Sequence, residues 1–283
     1  MSANIAVVGS VNLDIVATAD RLPVAGETIT DATLNRFPGG KGANQALAAR
    51  RLGADVALLA CVGQDASAEE ALALLRAGGV DLEGCRAVAD APTGTALIAV
   101  AASGENQIVV APGANRRLLP DTIALPRADA VICQLEVPVA TLEAVCEDAD
   151  GLVCMNLAPA LPVPESLAQC ADLIVVNETE AQFYGESLRR NAKLLAVTQG
   201  SRGAALYREG HQIATASPPA VSVVDTTGAG DTFTAALTVA IVENMAPELA
   251  LRFACAAGAL ATTVAGAQPS LPLRHEVDAL LTG

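Results

Sequence analysis

The chain has 283 residues, of which 52% are hydrophobic, so it is long and apolar enough for one large α/β domain with a small appendage or for two modest domains. Its formal net charge of −14 and its 2% of aromatic residues argue against a nucleic-acid partner, because such surfaces use positive charge and stacked rings. The same charge argues against an anionic membrane surface. The longest weakly charged stretch, residues 253–267, is too rich in Ala, Gly and Thr to span a membrane. We therefore expect a cytoplasmic protein whose ligands are small molecules.

Seven cysteines are scattered along the chain, and no two have the C-x-x-C spacing of a metal or redox site. Several lie in apolar runs such as residues 151–156, where cysteine behaves as a small buried hydrophobic residue. The sequence therefore predicts reduced thiols in the core. The two histidines, His211 and His275, lie far from any motif, so neither Ser-His-Asp nor Cys-His catalysis is predicted.

Short β-branched runs alternate with Ala- and Leu-rich helical patterns. In chain order, the alternation runs through residues 4–10 (strand), 41–53 (helix), 54–63 (strand), 66–80 (helix), 128–136 (strand), 138–149 (helix), 151–159 (strand) and 171–176 (strand). Apolar strands separated by helices of this length indicate βαβ units. The pattern predicts an α/β fold with a mainly parallel sheet covered on both faces.

Two segments break this alternation. Residues 11–37 and 92–112 contain strands and turns but no helix, and SGEN at 103–106 predicts a hairpin in the second. The two segments could pair as a small sheet that covers a site and excludes water from it. We predict a β lid of residues 11–37 and 92–112 over an α/β domain of residues 1–10, 38–91 and 113–283. An exposed edge of the lid sheet would favour a homodimer that buries it.

The stretch VSVVDTTGAGDTF, from residue 221, predicts a strand, a glycine loop and a helix. Ligands of open parallel sheets bind where such loops enter helix N-termini. Gly228 and Gly230 would let the backbone approach a ligand, and the first helical amides would attract a phosphoryl group. Asp231, in the first turn, could accept the proton of an attacking hydroxyl. The alternative is that Asp231 only favours the helix N-terminus.

Two further loops follow apolar strands. Asn177 and Glu180, in NETE, could hold hydrated magnesium near phosphates, although an N-x-x-E helix cap explains them equally well. Residues 198–203, TQGSRG, form a third glycine-containing loop. Neither a Walker A loop nor a dinucleotide fingerprint is present, so these common nucleotide sites are not predicted.

These motifs resemble those of the ribokinase-like (PfkB) family of ATP-dependent sugar kinases. The resemblance runs from about residue 4 to residue 280 and rests on GSVNLD, GGKGANQALAA, GEN, PGAN, QLE, NETEA, GSRG, DTTGAGDTF and GAQPS. It implies a three-layer αβα domain with a mainly parallel sheet and a small β-sheet lid. It also implies transfer of phosphate from ATP to a pentose, and GGK with GAQPS points to D-ribose and its 5-hydroxyl.

The resemblance also implies roles for individual residues. Asp231 would be the catalytic base, and the amides of Gly228, Ala229 and Gly230 would form the anion hole. The sugar would be bound by Asn12, Asp14, Gly40, Lys41, Asn44, Glu136 and Asp231. The nucleotide would be bound by Asn177, Thr198, Gly200, Ser201, Arg202, Gly203, Gly230 and Cys255. Glu180 would hold Mg²⁺ through water, and a K⁺ ion would be held by Asp225, Thr227, Ala261, Val264, Gly266 and Ser270.

One segment departs from the family pattern. The family usually has two helices between the NETE and TQGSRG loops, whereas residues 181–197 leave room for a short helix and a strand. The alternatives left open are a kinase for deoxyribose, fructose or an adenosine-like nucleoside, and a sugar-binding relative without catalysis. A dinucleotide-dependent oxidoreductase is disfavoured because the fingerprint is absent. The alternative for Asp225 is that its side chain only forms hydrogen bonds within its own backbone turn.

Overall fold

A computed structural model describes residues 2–282 of the chain. The strands are β1 (Asn4–Val8), β2 (Asn12–Ala19), β3 (Thr33–Gly39), β4 (Asp55–Gly63), β5 (Cys85–Val88), β6 (Gly94–Ala101), β7 (Asn106–Ala111), β8 (Ala130–Gln134), β9 (Leu152–Asn156), β10 (Leu173–Asn177), β11 (Leu194–Thr198), β12 (Ala204–Arg208) and β13 (His211–Ala216). The helices are α1 (Lys41–Arg51), α2 (Ala66–Ala77), α3 (Val139–Asp148), α4 (Glu165–Cys170), α5 (Glu178–Asn191), α6 (Ala229–Val242), α7 (Pro247–Leu260), α8 (Ala267–Ser270) and α9 (Arg274–Thr282). Within these described residues, none of the helices is both long and apolar enough to cross a membrane.

The larger of two sheets has the strand order β13-β12-β11-β10-β9-β8-β1-β4-β5. Every neighbouring pair from β11 to β5 is parallel, and β12 and β13 add two antiparallel strands at one edge. The central strands are buried along nearly their whole length, as at residues 5–8 and 130–134, because both faces of the sheet are covered. The predicted mainly parallel sheet is confirmed.

Two apolar layers cover the faces of this sheet. Ile5 and Val7 of β1 pack in a core with α1, α2, α6 and α7, whereas Ala6 and Val8 pack in a second core with α3, α4 and α5. This division follows from strand geometry, since successive side chains project from opposite faces. The three-layer fold is confirmed, and it gathers the carboxyl ends of the parallel strands at one edge, where such folds bind ligands.

The second sheet is built from the two segments that break the strand–helix alternation. Its strands lie in the order β3-β2-β6-β7. The predicted hairpin is formed by β6 and β7, and β2 is parallel to β6 and antiparallel to β3. The pairing of the two segments is therefore as predicted. The division of the chain at residues 11–37 and 92–112 stays a prediction, and β3 runs past the first segment to Gly39.

The strand predicted at residues 221–225 is wrong. This segment has no regular structure and pairs with neither sheet. The amides of Val224 and Asp225 instead donate to the carbonyl of Thr262, at 2.7 and 3.1 Å. Val223 and Val224 are 62% and 64% exposed, so their β-branched side chains do not mark a buried strand. The loop is attached to the turn after α7 rather than to the sheet.

The prediction of reduced thiols is wrong for two of the seven cysteines. Cys146 of α3 and Cys170 of α4 form a disulfide that joins these helices. Sequence spacing missed the pair because its members are 24 residues apart and meet only through helix packing. The thiols that are free and buried, as predicted, are those of Cys61, Cys133, Cys154 and Cys255.

The short segment between the NETE and TQGSRG loops contains one interrupted helix and a strand. The helix, α5, is broken at Gly185, whose φ of 72° suits glycine. Two helical pieces therefore meet at a kink before β11 begins. The sequence predicts one short helix and a strand here, and the structure has the strand preceded by two short helical pieces.

Candidate active site

A cleft of about 390 Å³ opens between the carboxyl ends of the parallel strands and the small sheet. Its volume lies in the range of small-molecule sites. The predicted site residues that line it are Asn12, Asp14, Gly40, Lys41, Asn44, Glu136, Asn177, Glu180, Thr198, Thr227, Gly228, Gly230 and Asp231. Those that do not line it are Gly200, Ser201, Arg202, Gly203, Asp225, Ala229, Cys255, Ala261, Val264, Gly266 and Ser270.

Part of the cleft wall was not predicted from the sequence. Alternate residues of the β6–β7 hairpin face the cleft, namely Ala96, Ile98, Asn106, Ile108 and Val110. The available signal was the two-residue period of a strand, which places every second side chain on one face. Asn156 at the end of β9 also lines the cleft. Its position after an apolar strand matches that of Asn177 on the next strand, and this match could have identified it.

Asp231 lies in the first turn of α6, directly after the glycine loop. Gly228 precedes the helix with a φ of 80°, a left-handed conformation that suits glycine and turns the loop into the helix. The Asp231 side chain is 7% exposed and accepts hydrogen bonds from Asn44 Nδ2 at 2.8 Å and Gln45 Nε2 at 2.9 Å. Its carboxylate is therefore held by two amides of α1, and α6 has no side-chain cap.

The cleft brings together one ammonium group and several carboxylates. Burial raises the pKa of Asp14 to about 7, and the nearby charges of Glu136 and Asp231 add to this effect. Desolvation alone would lower the pKa of Lys41, but the surrounding carboxylates outweigh it and raise that pKa. Burial also raises the pKa of Glu180. The cleft is thus rich in negative charge, which favours hydroxyl donors and cations as ligands.

The polar atoms of the cleft differ in whether the protein already supplies a hydrogen-bond partner. Asn12 Oδ1 accepts a hydrogen bond from Asn115 Nδ2 at 2.8 Å, which fixes the direction of the Asn12 amide. Glu136 Oε2 accepts from the hydroxyl of Ser10. Asn44 Oδ1 is buried and has no hydrogen-bond partner among the described residues. Because an unpaired buried acceptor destabilises the fold, the site is best satisfied when a ligand or water donates to it.

Asn177 and Glu180 form a reciprocal cap at the start of α5. Asn177 Oδ1 accepts from the Glu180 amide, and Glu180 Oε2 accepts from the Asn177 amide, both at 2.8 Å. The capping alternative is therefore realised in the structure. A role for Glu180 at magnesium is compatible with this cap, because the cap uses one carboxylate oxygen and the residue lines the cleft. That role stays a prediction.

The predicted nucleotide loop follows β11 directly. Thr198 lines the cleft, and Gly200–Arg202 form a short 3-10 turn outside it. Gly203 has a φ of 100°, and a Cβ there would lie 1.9 Å from the Ala216 carbonyl oxygen, so glycine is required. Cys255 of α7 lies 3.7 Å from the same oxygen, and burial raises its pKa to about 11. Cys255 is thus close to the loop but is not part of the cleft wall.

Asp225 accepts three hydrogen bonds from the protein. Its Oδ1 accepts from the amide and hydroxyl of Thr227 at 2.9 and 2.7 Å, and its Oδ2 accepts from the amide of Gly266 at 2.8 Å. Burial alone would raise its pKa, but these hydrogen bonds outweigh burial and lower it. Three of the predicted K⁺ ligands, Asp225, Thr227 and Gly266, are therefore connected by hydrogen bonds. Ala261, Val264 and Ser270 make no hydrogen bond to Asp225, and the described residues contain no cluster of three or more His, Cys, Asp or Glu side chains suited to a metal.

The cleft has a buried carboxylate beside a glycine-flanked helix N-terminus, and it faces side chains that can bind hydroxyls. A kinase for a small sugar requires this arrangement. Residues 2–274 match the family described as pfkB family carbohydrate kinase. The chain belongs to this family of sugar kinases.

Individual relatives agree with this assignment. The chain is 39% identical over 293 residues to the ribokinase of Bacillus subtilis (strain 168), with 99% of each chain covered. The solved ribokinase of Thermotoga maritima has a TM-score of 0.90 at 34% identity, covering 99% of this chain and 100% of that one. Arabidopsis thaliana ribokinase complexed with ribose and ATP has a TM-score of 0.87 at 35% identity, with 100% of each chain covered. The family and fold implied by the motifs are confirmed.

Proposed function

We propose that this protein transfers the γ-phosphoryl group of ATP to the 5-hydroxyl of D-ribose. One observation carries the proposal: Asp231, buried at the first turn of α6, lies in the same cleft as the side chains that match the family's sugar positions. The similar curated proteins named ribokinase, and the relative solved with ribose and ATP, support ribose over other sugars. The products would be ribose 5-phosphate and ADP.

The polar half of the cleft is suited to a sugar. Its carboxylates accept hydrogen bonds from hydroxyls, and its amides and ammonium group donate to them. The apolar residues of the β6–β7 hairpin would cover the bound sugar and exclude water. We assign sugar binding to Asn12, Asp14, Gly40, Lys41, Asn44, Glu136 and Asp231.

The chemistry follows from the position of Asp231. The 5-hydroxyl oxygen forms a bond to the γ-phosphorus as the bond between that phosphorus and the leaving ADP oxygen breaks, and the hydroxyl proton passes to Asp231. The amides of Gly228, Ala229 and Gly230 lie at the positive end of α6 and would stabilise the negative charge on the phosphoryl oxygens. Holding both reactants in one cleft supplies the required orientation.

The nucleotide side of the site needs a cation. Because the cleft contains four carboxylates and one ammonium group, ATP would enter with Mg²⁺, which neutralises phosphate charge. Glu180 would hold this ion through water, since Mg²⁺ keeps several waters and prefers carboxylate oxygens. We assign ATP binding to Asn177, Thr198, Gly200, Ser201, Arg202, Gly203, Gly230 and Cys255.

Initial rates of ADP release with D-ribose, deoxyribose, fructose and adenosine test this assignment. We expect kcat/KM to be highest for D-ribose, by about 10²-fold or more over a sugar that lacks a bound hydroxyl, because the partner of that hydroxyl is left unpaired. A higher kcat/KM for fructose or adenosine would reassign the substrate. Ribose binding without ADP release would favour a sugar-binding protein without catalysis.

We expect K⁺ to activate the enzyme through the Asp225 loop. A carboxylate with backbone oxygens suits a hard cation, and such an ion would fix the loop that leads to the Gly228 amide. The proposed ligands are Asp225, Thr227, Ala261, Val264, Gly266 and Ser270. Activity in KCl should exceed activity in NaCl at equal ionic strength, and Asp225→Ala should abolish the difference and lower activity in both salts.

The control for the K⁺ measurement is Asp121→Ala, which removes an exposed carboxylate outside the cleft. This variant should respond to K⁺ as the wild type does. A wild type with equal rates in the two salts would leave Asp225 with the turn-stabilising role that its three hydrogen bonds already explain.

We expect a homodimer formed through the outer face of the small sheet. Leu97 and Val109 are paired across β6 and β7 and are 52% and 66% exposed, and Leu34 on the same face is 65% exposed. Adjacent apolar side chains on an exposed sheet mark a surface that a partner covers. Light scattering should give twice the mass of one chain, and Val109→Asp should give the monomer. A monomeric wild type at tens of micromolar would contradict this expectation.

A further inference from the structure

Asp231 is connected to a row of buried side-chain amides. Gln45 of α1 donates through Nε2 to Asp231 Oδ1 at 2.9 Å and to Asn156 Oδ1 at 3.0 Å. Gln134, at the end of β8, donates through Nε2 to Gln45 Oε1 at 2.6 Å. Gln45 and Gln134 are fully buried, and neither lines the cleft. They therefore do not contact a bound sugar, although both are connected to the residue assigned as the base.

The two ends of this row fix the direction of every amide in it. An ionised Asp231 only accepts hydrogen bonds, so Gln45 must turn its nitrogen toward it. Asn156 donates through Nδ2 to the carbonyl of Val175 at 3.1 Å, which leaves its oxygen facing the same Gln45 nitrogen. The Gln45 oxygen then faces the nitrogen of Gln134. Gln45 cannot rotate its amide by half a turn without losing three hydrogen bonds.

The backbone makes room for this row at Gly9. A Cβ at Gly9 would lie 2.1 Å from Gln134 Oε1. That oxygen has no hydrogen-bond partner among the described residues. A buried unpaired acceptor destabilises the folded state, so stability alone does not explain a glutamine at this position. Its nitrogen, however, is what holds the oxygen of Gln45.

Asn44, the second donor to Asp231, is less constrained. It donates to Asp231 Oδ2 at 2.8 Å, but its own Oδ1 has no partner and the residue lines the cleft. Asn44 is therefore held by one side-chain hydrogen bond, whereas Gln45 is held by three. One oxygen of Asp231 thus contacts an amide that lines the cleft, and the other contacts an amide that is fixed in the interior.

We infer that Gln45, supported by Gln134, is a positioning residue that fixes the carboxylate of Asp231 in the orientation needed to take the proton of the sugar hydroxyl. The inference rests on the proposed function, because Gln45 has this role only if Asp231 is the base. Positioning of this kind matters because a misplacement of about 1 Å in a reacting group can lower the rate about 10²-fold.

A double-mutant cycle tests the inference. Gln45→Met keeps the length of the side chain and removes its amide. In the wild-type background it should lower kcat for ribose about 10- to 100-fold and change the KM values for ribose and MgATP by less than about threefold. In the Asp231→Asn background the same substitution should lower kcat by less than about threefold, because no base remains to be positioned.

Two further variants complete the cycle. Gln134→Leu removes the hydrogen bond to Gln45 Oε1 but leaves the hydrogen bonds that Gln45 donates to Asp231 and Asn156. It should therefore lower kcat about 3- to 10-fold, again only when Asp231 is present. It carries the same test if Gln45→Met does not fold. Thr141→Val is the matched control, because Thr141 is a fully buried hydrogen-bonding residue of α3, in the opposite helix layer. It should leave kcat unchanged even if it lowers the melting temperature.

The outcomes separate the inference from the function on which it rests. Equal losses of kcat in the two backgrounds, or a loss confined to KM, would overturn the positioning role and leave the kinase assignment intact. A wild type that releases no ADP with ribose or any other sugar would overturn both.

Discussion

Asp231→Asn is expected to lower kcat about 10²- to 10⁴-fold, the usual contribution of a general base. The substitution keeps the size of the side chain but replaces the carboxylate with an amide that does not accept a proton at neutral pH. Because the cleft is otherwise unchanged, affinity for MgATP should stay within about threefold of the wild-type value. The loss should therefore appear in kcat rather than in nucleotide binding.

The hydrogen bonds around Asp231 indicate how the amide would be accommodated. Asn44 and Gln45 both donate to Asp231, so a side chain that carries one nitrogen must direct it at one of them. Gln45 is held by two further hydrogen bonds, whereas the Oδ1 of Asn44 has no partner among the described residues, so we expect the nitrogen of the substituted side chain to point toward Asn44. Since Asn44 is also an assigned sugar ligand, a small increase in the KM for ribose is expected.

Steady-state kinetics and calorimetry with both ligands check this result. Asp121→Asn, which changes an exposed carboxylate outside the cleft, is the matched control and should behave as the wild type. Turnover of the Asp231→Asn variant within about threefold of wild type would remove Asp231 from the role of base.

Asp14→Asn is expected to stabilise the empty protein at pH 8 and to weaken sugar binding. Asp14 is 8% exposed and lies among other carboxylates, so its ionised form is disfavoured in the folded chain. A neutral side chain of the same shape removes the unfavourable free energy of burying a charge among these carboxylates. A ligand that needs the carboxylate as an acceptor then loses a charged hydrogen bond, worth about 2 kcal/mol or more.

The pH dependence follows from the pKa of Asp14, which rises from 3.8 to about 7 on folding through burial and the charges of Glu136 and Asp231. Between these values the folded chain retains a proton that the unfolded chain has released. The contribution of Asp14 to stability therefore falls as the pH rises from about 4 to about 7, and it is constant above that range. The difference between the two pKa values corresponds to about 4 kcal/mol in the free energy of unfolding.

Denaturant unfolding at pH 8 and pH 4 measures this effect. The Asp14→Asn variant should exceed the wild type in stability at pH 8 and match it at pH 4. Asp20→Asn, an exposed carboxyl just after β2, is the control and should give no such difference. Equal stabilities at pH 8 would contradict the pKa of Asp14, and calorimetry showing unchanged ribose affinity would remove Asp14 from the sugar site.

The fold could be predicted because its signals are local. Apolar runs such as residues 5–8 identify strands covered on both faces, and the hairpin of β6 and β7 follows from a polar turn between two apolar runs. Residues 221–225 have the same β-branched composition but form a loop, since their amides bond to the Thr262 carbonyl instead of to a strand. The composition of a segment does not show which hydrogen-bond acceptors its backbone amides will use.

The site could be predicted only where loops carry motifs. Gln45 and Gln134 lie inside the quoted motifs, but their contacts join residues that are 186 and 89 positions apart. The Cys146–Cys170 pair was missed for the same reason. Side chains that meet only through packing of distant elements leave no signal in the local sequence.

The most direct test of the central claim is identification of the product formed from D-ribose and MgATP. We expect phosphorus NMR to show one equivalent of ADP for each equivalent of ribose phosphate, with the phosphorus coupled to the two protons on C5. The Asp231→Asn variant should form the same product about 10²- to 10⁴-fold more slowly. ATP consumption without a sugar phosphate, or phosphate on any other ribose oxygen, would contradict the account.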